Sequence, residues 1–262
     1  MSSPGDDLLS SVAYDEQVAV ISMTAPARRN VLSLAMIREL SRAFDQTRIA
    51  RAVVLRSAAG ADVWCAGFDI GALLPGFDPL AQGGELQELF RRVQDHPAPV
   101  IAMVHGSAWG GGTDLALRCD IVIGDPTCSL AFTPARLGLP YDANGLLNVM
   151  MRAGPAVALE MFSTADPVPA QRALRLGLLN HLVPEADLEL FTLAMARRIA
   201  GNAPLSVTSA KQQIRALAAA IALSSATAQR LAEGRQRALH SHDFSEGLAA
   251  FRARRPPDFQ GR

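Results

Sequence analysis

Two stretches, PVIAMV (Pro99–Val104) and DIVIG (Asp120–Gly124), are apolar almost without a break. A strand with one wet face alternates apolar and polar residues, but a strand covered on both faces has no reason to. These runs therefore predict strands buried inside a layered structure. VAVISM (Val18–Met23) and AVVLRS (Ala52–Ser57) read as two more strands. Between them Leu34, Ile37, Leu40 and Phe44 recur at helical spacing behind Ser33, a residue suited to capping a helix start. The first half of the chain thus alternates strands with helices, an α/β arrangement.

From about residue 145 the strand signals fade. Helical patterns follow at Ala156–Ser163, Ala170–Leu176, Leu188–Ala200, Pro204–Leu223 and Ala226–Leu239, so a helical C-terminal region is expected beyond Val183. No internal repeat and no low-complexity linker stands out. Ala216–Ala228 is the most lipid-like stretch, but it is too short and too rich in Ser and Thr to span a bilayer, and reads as a packed helix. The opening MSSPGDDLLSSVAYDE has neither a basic nor an apolar leader-like segment. Lys and Arg (25) balance Asp and Glu (25), which argues against a polyanion, and nucleic acid in particular, as partner. Cys65, Cys119 and Cys128 form no CxxC pair and fit reduced, mostly buried thiols of a cytoplasmic protein. None of the five histidines has metal-ligand neighbours in sequence; His240 and His242 mark a solvated helix end.

The segment between the two buried runs, HGSAWGGGTD, places three glycines directly before a helix-forming stretch. It is neither GxxxxGK[ST] nor a GxGxxG with a downstream acid, so a nucleotide-phosphate cradle is poorly supported. One reading is that the Gly111 N–H, at a helix start, faces an oxygen that becomes negative during a reaction. The other is close helix–strand packing, which needs only small residues. Taken alone, the glycines fit the second better.

A second loop, WCAGFDI (Trp64–Ile70), changes the balance. AGFDI followed by PVIAMVHGSAWGGGTDLALRCDIVIGD resembles the enoyl-CoA hydratase/isomerase (crotonase) superfamily, and the similarity continues through LGLLNHLV and the C-terminal helices. The resemblance implies a crotonase (ClpP-like) spiral of repeated ββα units over residues 1–183 and a helical trimerisation region over 184–262. It also implies a homotrimer or dimer of trimers, and an acyl-CoA thioester as ligand. Coenzyme A would then be part of the substrate, with no separate cofactor and no metal. By position, the backbone N–H groups of Phe68 and Gly111 would grip the thioester oxygen. Ala66, Asp69 and Ile70 resemble the loop lining the adenine pocket. Arg28 falls where the CoA phosphates approach, and Phe251 and Arg254 match residues that in relatives cover CoA from a neighbouring subunit. Trp64 and Trp109 read as packing walls.

Adding water across a double bond takes two acid–base groups. The superfamily's first glutamate maps to Asp114, one methylene shorter, and the second falls at Thr133-Pro134-Ala135, where no carboxylate stands. TPARLGLPYDANGLL and GSAWGG instead resemble the methylmalonyl-CoA decarboxylase branch, which carries a threonine and a tyrosine at Thr133 and Tyr141. That resemblance implies that these hydroxyls orient a leaving carboxylate while Phe68 and Gly111 hold an enolate. Methylmalonyl-CoA is the first-choice substrate, with malonyl- and ethylmalonyl-CoA next. The chain departs from the branch at Phe68 (a histidine there), Asp114 (a glutamate) and Asp142 (an asparagine). Asp114 can also be read as a helix first-turn acid, and Tyr141 as a core tyrosine. Several alternatives stay open: a hydratase or isomerase using Asp114 alone, a thioester hydrolase, a non-catalytic acyl-CoA binder, and an RNA-binding relative that the neutral charge disfavours.

Overall fold

Ser10–Asp15 (β1) and Val18–Met23 (β2) form an antiparallel pair at the edge of a six-stranded sheet. The computed structural model describes residues 9–81, 83–220 and 225–262. After β2 the chain enters Leu34–Gln46 (α1), whose first turn is capped by the Ser33 hydroxyl accepting the Met36 N–H at 3.3 Å. Next come Ala52–Ser57 (β3), Val63–Cys65 (β4), Glu85–Gln94 (α2), Val100–Val104 (β5), Ser107–Trp109 (β6), Gly111–Arg118 (α3), Ile121–Gly124 (β7) and Ser129–Ala131 (β8). Ala143–Thr164 (α4), Val168–Pro169 (β9), Ala170–Arg175 (α5) and His181–Leu182 (β10) complete the strand-bearing part. Leu188–Ala200 (α6), Pro204–Ala219 (α7), Ser225–Leu239 (α8) and His242–Ala253 (α9) follow, with helices alone among the described residues beyond β10.

The larger sheet runs β1-β2-β3-β5-β7-β10, parallel from β2 onward, and a smaller one runs β4-β6-β8-β9. Successive strands go to alternate sheets: β3 then β4, β5 then β6, β7 then β8, with α2, α3 and α4 leading out of the three pairs. This is the spiral of ββα units, each turn stacked in parallel register on the one before.

Alternate residues of the inner strands reach two cores. Ala19, Ile21, Val53, Leu55, Ala102 and Val104 pack with α1, α2 and the smaller sheet. Val18, Val20, Ala52, Val54, Ile101 and Met103 pack under Leu188, Ala196 and Ala200 of α6. Both faces are dry, which explains the unbroken apolar runs.

Some expectations change. The helix expected at Ala156–Ser163 is the second part of α4, which begins at Ala143 and breaks at Gly154 (φ 82°) before Pro155. α7 ends at Ala219 with Leu217 exposed and a turn at Ala220, so the described part of Ala216–Ala228 is not a packed helix, and its middle lies outside the described residues. The expected run on to Leu223 enters 221–224, outside the described residues, as does the start of the chain through residue 8. All three cysteines are buried and unpaired, and burial pushes each thiol up to about 12. No helix among the described residues is long and apolar enough to cross a membrane.

Candidate active site

Two turns, each leaving a short strand of the smaller sheet, meet at one pocket. The first follows β4. Gly67 sits at φ 82°, and a methyl group on it would stand 2.4 Å from the Trp109 carbonyl oxygen, so this position takes glycine alone. The turn is pinned from the other side: the Gly67 carbonyl accepts the Leu32 N–H at 2.7 Å, and the Ala66 N–H donates to the Arg29 carbonyl. The second turn follows β6, with the Gly110 N–H held by the Ala131 carbonyl at 2.8 Å, and Gly111 opens α3.

The two turns touch. A methyl on Gly111 would stand 3.4 Å from the Phe68 nitrogen and 3.9 Å from the Gly67 Cα. The N–H groups of Phe68 and Gly111 donate to no acceptor among the described residues. Two unspent main-chain donors, one at a helix N-terminus, thus adjoin on one wall, an arrangement suited to an oxygen that gains negative charge.

The rest of the pocket is apolar. It opens to solvent, and about 510 Å³ of space, part of it outside the walls, lies between Ile70, Leu73, Leu80, Leu86, Leu137 and Leu139 and the two turns. Of the residues singled out in the sequence, Ala66, Phe68, Ile70, Gly111, Thr133 and Tyr141 line it together. The Thr133 hydroxyl has no hydrogen-bond partner among the described residues. Among the described residues, no acidic side chain lines the pocket.

Asp114 lies behind the wall. It is fully buried, and Arg118, one helical turn on, grips it with Nε–Oδ1 at 2.9 Å and Nη2–Oδ2 at 3.2 Å. The carboxylate also accepts the Tyr141 O–H at 3.1 Å and Asn148 Nδ2 at 3.4 Å. Burial pulls the Arg118 pKa down, but the charge and hydrogen bonds of Asp114 outweigh it and the guanidinium stays protonated. The Tyr141 ring is wedged between Phe132 and Phe162, with ring centroids 5.2 Å and 5.1 Å away. It lies over the first turn of α4, where a methyl on Gly145 would stand 2.3 Å from it. Burial, then the charges of Asp114 and Asp142, holds the phenol pKa well above its ordinary value, so Tyr141 keeps its proton. Asp142 caps α4, accepting the Asn144 N–H at 3.2 Å.

The remaining candidates sit apart. Arg28 pairs with Asp69 at 3.5 Å, and Asp69 accepts the Gly71 N–H; neither lines the pocket, although Ile70 beside them does. Phe251 on α9 and Arg254 just past its end are exposed and also lie off the pocket. α9 itself packs against the Pro134–Leu137 segment of its own chain, where Gly247 meets the Leu137 backbone. Trp64 is buried, and Trp109 donates to Ser107 Oγ at 2.8 Å. Among the described residues, no group of three or more His, Cys, Asp or Glu is placed to hold a metal ion.

Sequence reasoning missed Arg118, Asn148 and the leucine walls. Arg118 had a visible signal: it follows Asp114 by four residues in a helix, the spacing at which opposite charges meet.

The chain is similar to known proteins over nearly its whole length. The family model described as enoyl-CoA hydratase/isomerase matches residues 13–262. Methylmalonyl-CoA decarboxylase of Escherichia coli (strain K12) is 37% identical over 255 residues, covering 96% of this chain and 97% of that protein. Carnitinyl-CoA dehydratase of Proteus mirabilis (strain HI4320) is 36% identical over 220 residues, covering 80% and 82%. A crystal structure of methylmalonyl-CoA decarboxylase complexed with 2S-carboxypropyl-CoA superposes with a TM-score of 0.94 at 36% identity, covering 100% of both chains. Matched over nearly its whole length in sequence and fold, the chain belongs to the enoyl-CoA hydratase/isomerase (crotonase) family.

Proposed function

We propose that this enzyme decarboxylates a 2-carboxyacyl-CoA, with methylmalonyl-CoA as first substrate and malonyl- or ethylmalonyl-CoA as close analogues. One observation carries the choice among crotonase reactions. Among the described residues no carboxylate lines the pocket: Asp114 lies behind its wall, held by Arg118, while two unspent N–H groups and the hydroxyl-bearing Thr133 and Tyr141 belong to the lining. Hydration needs an acid and a base at the substrate; loss of CO2 next to a thioester needs neither.

In this mechanism the thioester oxygen sits between the N–H groups of Phe68 and Gly111. The Cα–carboxylate bond breaks, its electron pair moves into the enolate, and CO2 departs. The two amides favour the enolate over the neutral thioester, and by comparison with other oxyanion holes each donor is worth about 3 kcal/mol. Thr133 donates to the carboxylate and holds it out of the thioester plane. The Tyr141 proton swings to the same carboxylate by rotation about its C–O bond, because Arg118 and Asn148 keep Asp114 satisfied. The leucine walls exclude water, and desolvation favours departure of the anion as neutral CO2. A proton from water or a hydroxyl then reaches Cα and regenerates the thioester. Arg28, Asp69, Phe251 and Arg254 are assigned to the CoA moiety. Exposed Leu190, Leu205, Ile214 and Leu217 on α6 and α7 support assembly as a homotrimer or dimer of trimers, which light scattering tests.

The deciding experiment incubates the purified protein separately with methylmalonyl-CoA and crotonyl-CoA. Release of CO2 with formation of propionyl-CoA from the first is expected. Loss of the enone absorbance of the second, with no CO2 from the first, would falsify the decarboxylase assignment.

A further inference from the structure

A pocket that takes a malonyl-type thioester must accept a negative charge, yet this chain buries a carboxylate directly behind the pocket wall. Asp114 reaches the pocket through a single hydroxyl, that of Tyr141, at 3.1 Å. Two anions separated by one side chain in an apolar site repel strongly. Arg118 is the group that removes the conflict. Its side chain is 4% exposed, it meets Asp114 with two parallel N–H donors, and its third nitrogen donates to Gln94 Oε1 at 3.1 Å. The Phe90 ring lies 5.0 Å from its guanidinium carbon. Every polar hydrogen direction named here points to a partner inside the protein, none to the pocket, so Arg118 is no direct ligand for substrate.

We infer that Arg118 is a positioning residue that makes the pocket compatible with an anionic acyl group. It cancels the charge of Asp114 and keeps that carboxylate satisfied when the Tyr141 proton turns to the substrate. The inference rests on the decarboxylase assignment and extends it to a selectivity for charge. The titratable or charged groups that act on the Asp114–Arg118 pair are Tyr141 and Asp142 before α4, and Arg235 of α8 acts in turn on Asp142; Arg152 of α4 meets the C-terminal end of α3, and Cys65 of β4 packs on Gly112. Cys65 is a neutral thiol, and Arg152 is occupied by the Leu117 and Cys119 carbonyls. Asp142 adds negative charge, which makes the cation at 118 more necessary.

The test compares two thioethers that differ only in a carboxylate against a methyl group, 2S-carboxypropyl-CoA and isobutyl-CoA, binding to the full-length protein by calorimetry at about pH 6 and about pH 8.5. Both carry the same CoA phosphates, so the ratio of their affinities isolates the acyl charge. In the wild type this ratio is expected to stay nearly constant with pH. In Arg118→Met it is expected to fall against the anionic ligand by at least about tenfold at the higher pH. It should recover when the uncompensated carboxylate is removed as well. Arg118→Lys restores the ratio, and so does Asp114→Asn combined with Arg118→Met. A ratio in Arg118→Met that matches the wild type at both pH values, or equal weakening of both ligands, overturns the inference.

Should Arg118→Met fail to fold, Asp114→Asn alone leaves the arginine uncompensated and must shift the ratio toward the anionic ligand; no shift overturns the inference equally. Wild-type protein that binds isobutyl-CoA but not 2S-carboxypropyl-CoA defeats the decarboxylase assignment itself, an outcome distinct from a failure confined to the Arg118 variants.

Discussion

The Tyr141 hydroxyl donates to Asp114 Oδ2 at 3.1 Å, so in the ligand-free protein the pocket tyrosine spends its proton on a group outside the pocket. Substrate must win that proton from Asp114, and the bond it forms to a carboxylate is charge-assisted. A hydrogen bond of that kind contributes about 1.5–3 kcal/mol. Tyr141→Phe is therefore expected to lower kcat at least about tenfold while affinity for a CoA thioester without the carboxylate is unchanged. Steady-state turnover together with propionyl-CoA binding checks this, and undiminished turnover would remove Tyr141 from the mechanism.

Gly67→Ala tests the oxyanion wall without touching a side chain. The added methyl collides with the Trp109 carbonyl, and φ 82° is unfavourable for alanine. The turn must shift, and it carries the Phe68 N–H with it. The expected loss is on the order of a hundredfold in kcat, the scale of removing one oxyanion donor, together with a destabilisation of about 1–3 kcal/mol. If rates fall no further than stability explains, the Phe68 amide is not a catalytic donor.

Much of the scaffold was legible for a physical reason. β2, β3, β5 and β7 are dry on both faces, so their residues had to be apolar and announced themselves. The three-residue strands β4, β6 and β8 were not legible as strands, because a run that short carries no period. The turn after β6 announced itself by its glycines, but its partnership with the turn after β4 was recognisable only by resemblance, which brought Phe68 and Gly111 to one wall. α2 offered Leu86, Leu89, Phe90 and Val93 at helical spacing and passed unread, although it supplies Leu86 to the pocket. Asp114 was visible as an acid near the glycines, but its direction was not. That depends on Arg118 and on Tyr141, a residue 27 positions along the chain.

His96 sets an acid limit on stability. It is 2% exposed, its ring packs edge-on to Phe44, and burial, with the nearby Lys211 charge, lowers its pKa to about 4 despite a hydrogen bond with the Ala98 backbone. The unfolded chain binds this proton at about pH 6.5 and the folded chain does not until about pH 4. Stability is thus intact above about pH 6.5 and falls as pH drops toward 4, by about 3 kcal/mol from this group alone. Urea unfolding of wild type and His96→Asn between those limits should give a steeper pH slope for the wild type. Parallel slopes would show that some other group controls the acid transition.

Asp142 is the opposite case. The side chain is nearly buried, its Oδ1 has no hydrogen-bond partner among the described residues, and burial followed by the Asp114 charge raises its pKa. A carboxyl whose folded pKa lies above its unfolded value of about 3.9 costs nothing while both states are protonated. Its penalty grows as pH rises past that value and is complete above the folded one. The useful part of the residue is Oδ2, which caps α4, and asparagine caps a helix about as well as aspartate. Asp142→Asn should therefore stabilise the protein at neutral and alkaline pH, with the gain vanishing as pH approaches about 4. It should also tighten binding of 2S-carboxypropyl-CoA relative to isobutyl-CoA, since one anion leaves the neighbourhood of the pocket. Denaturant unfolding at several pH values and calorimetry with both ligands measure the two effects. A variant less stable than wild type by the same amount at every pH would mean that the charge of Asp142 carries no penalty and that the substitution itself disturbs the packing.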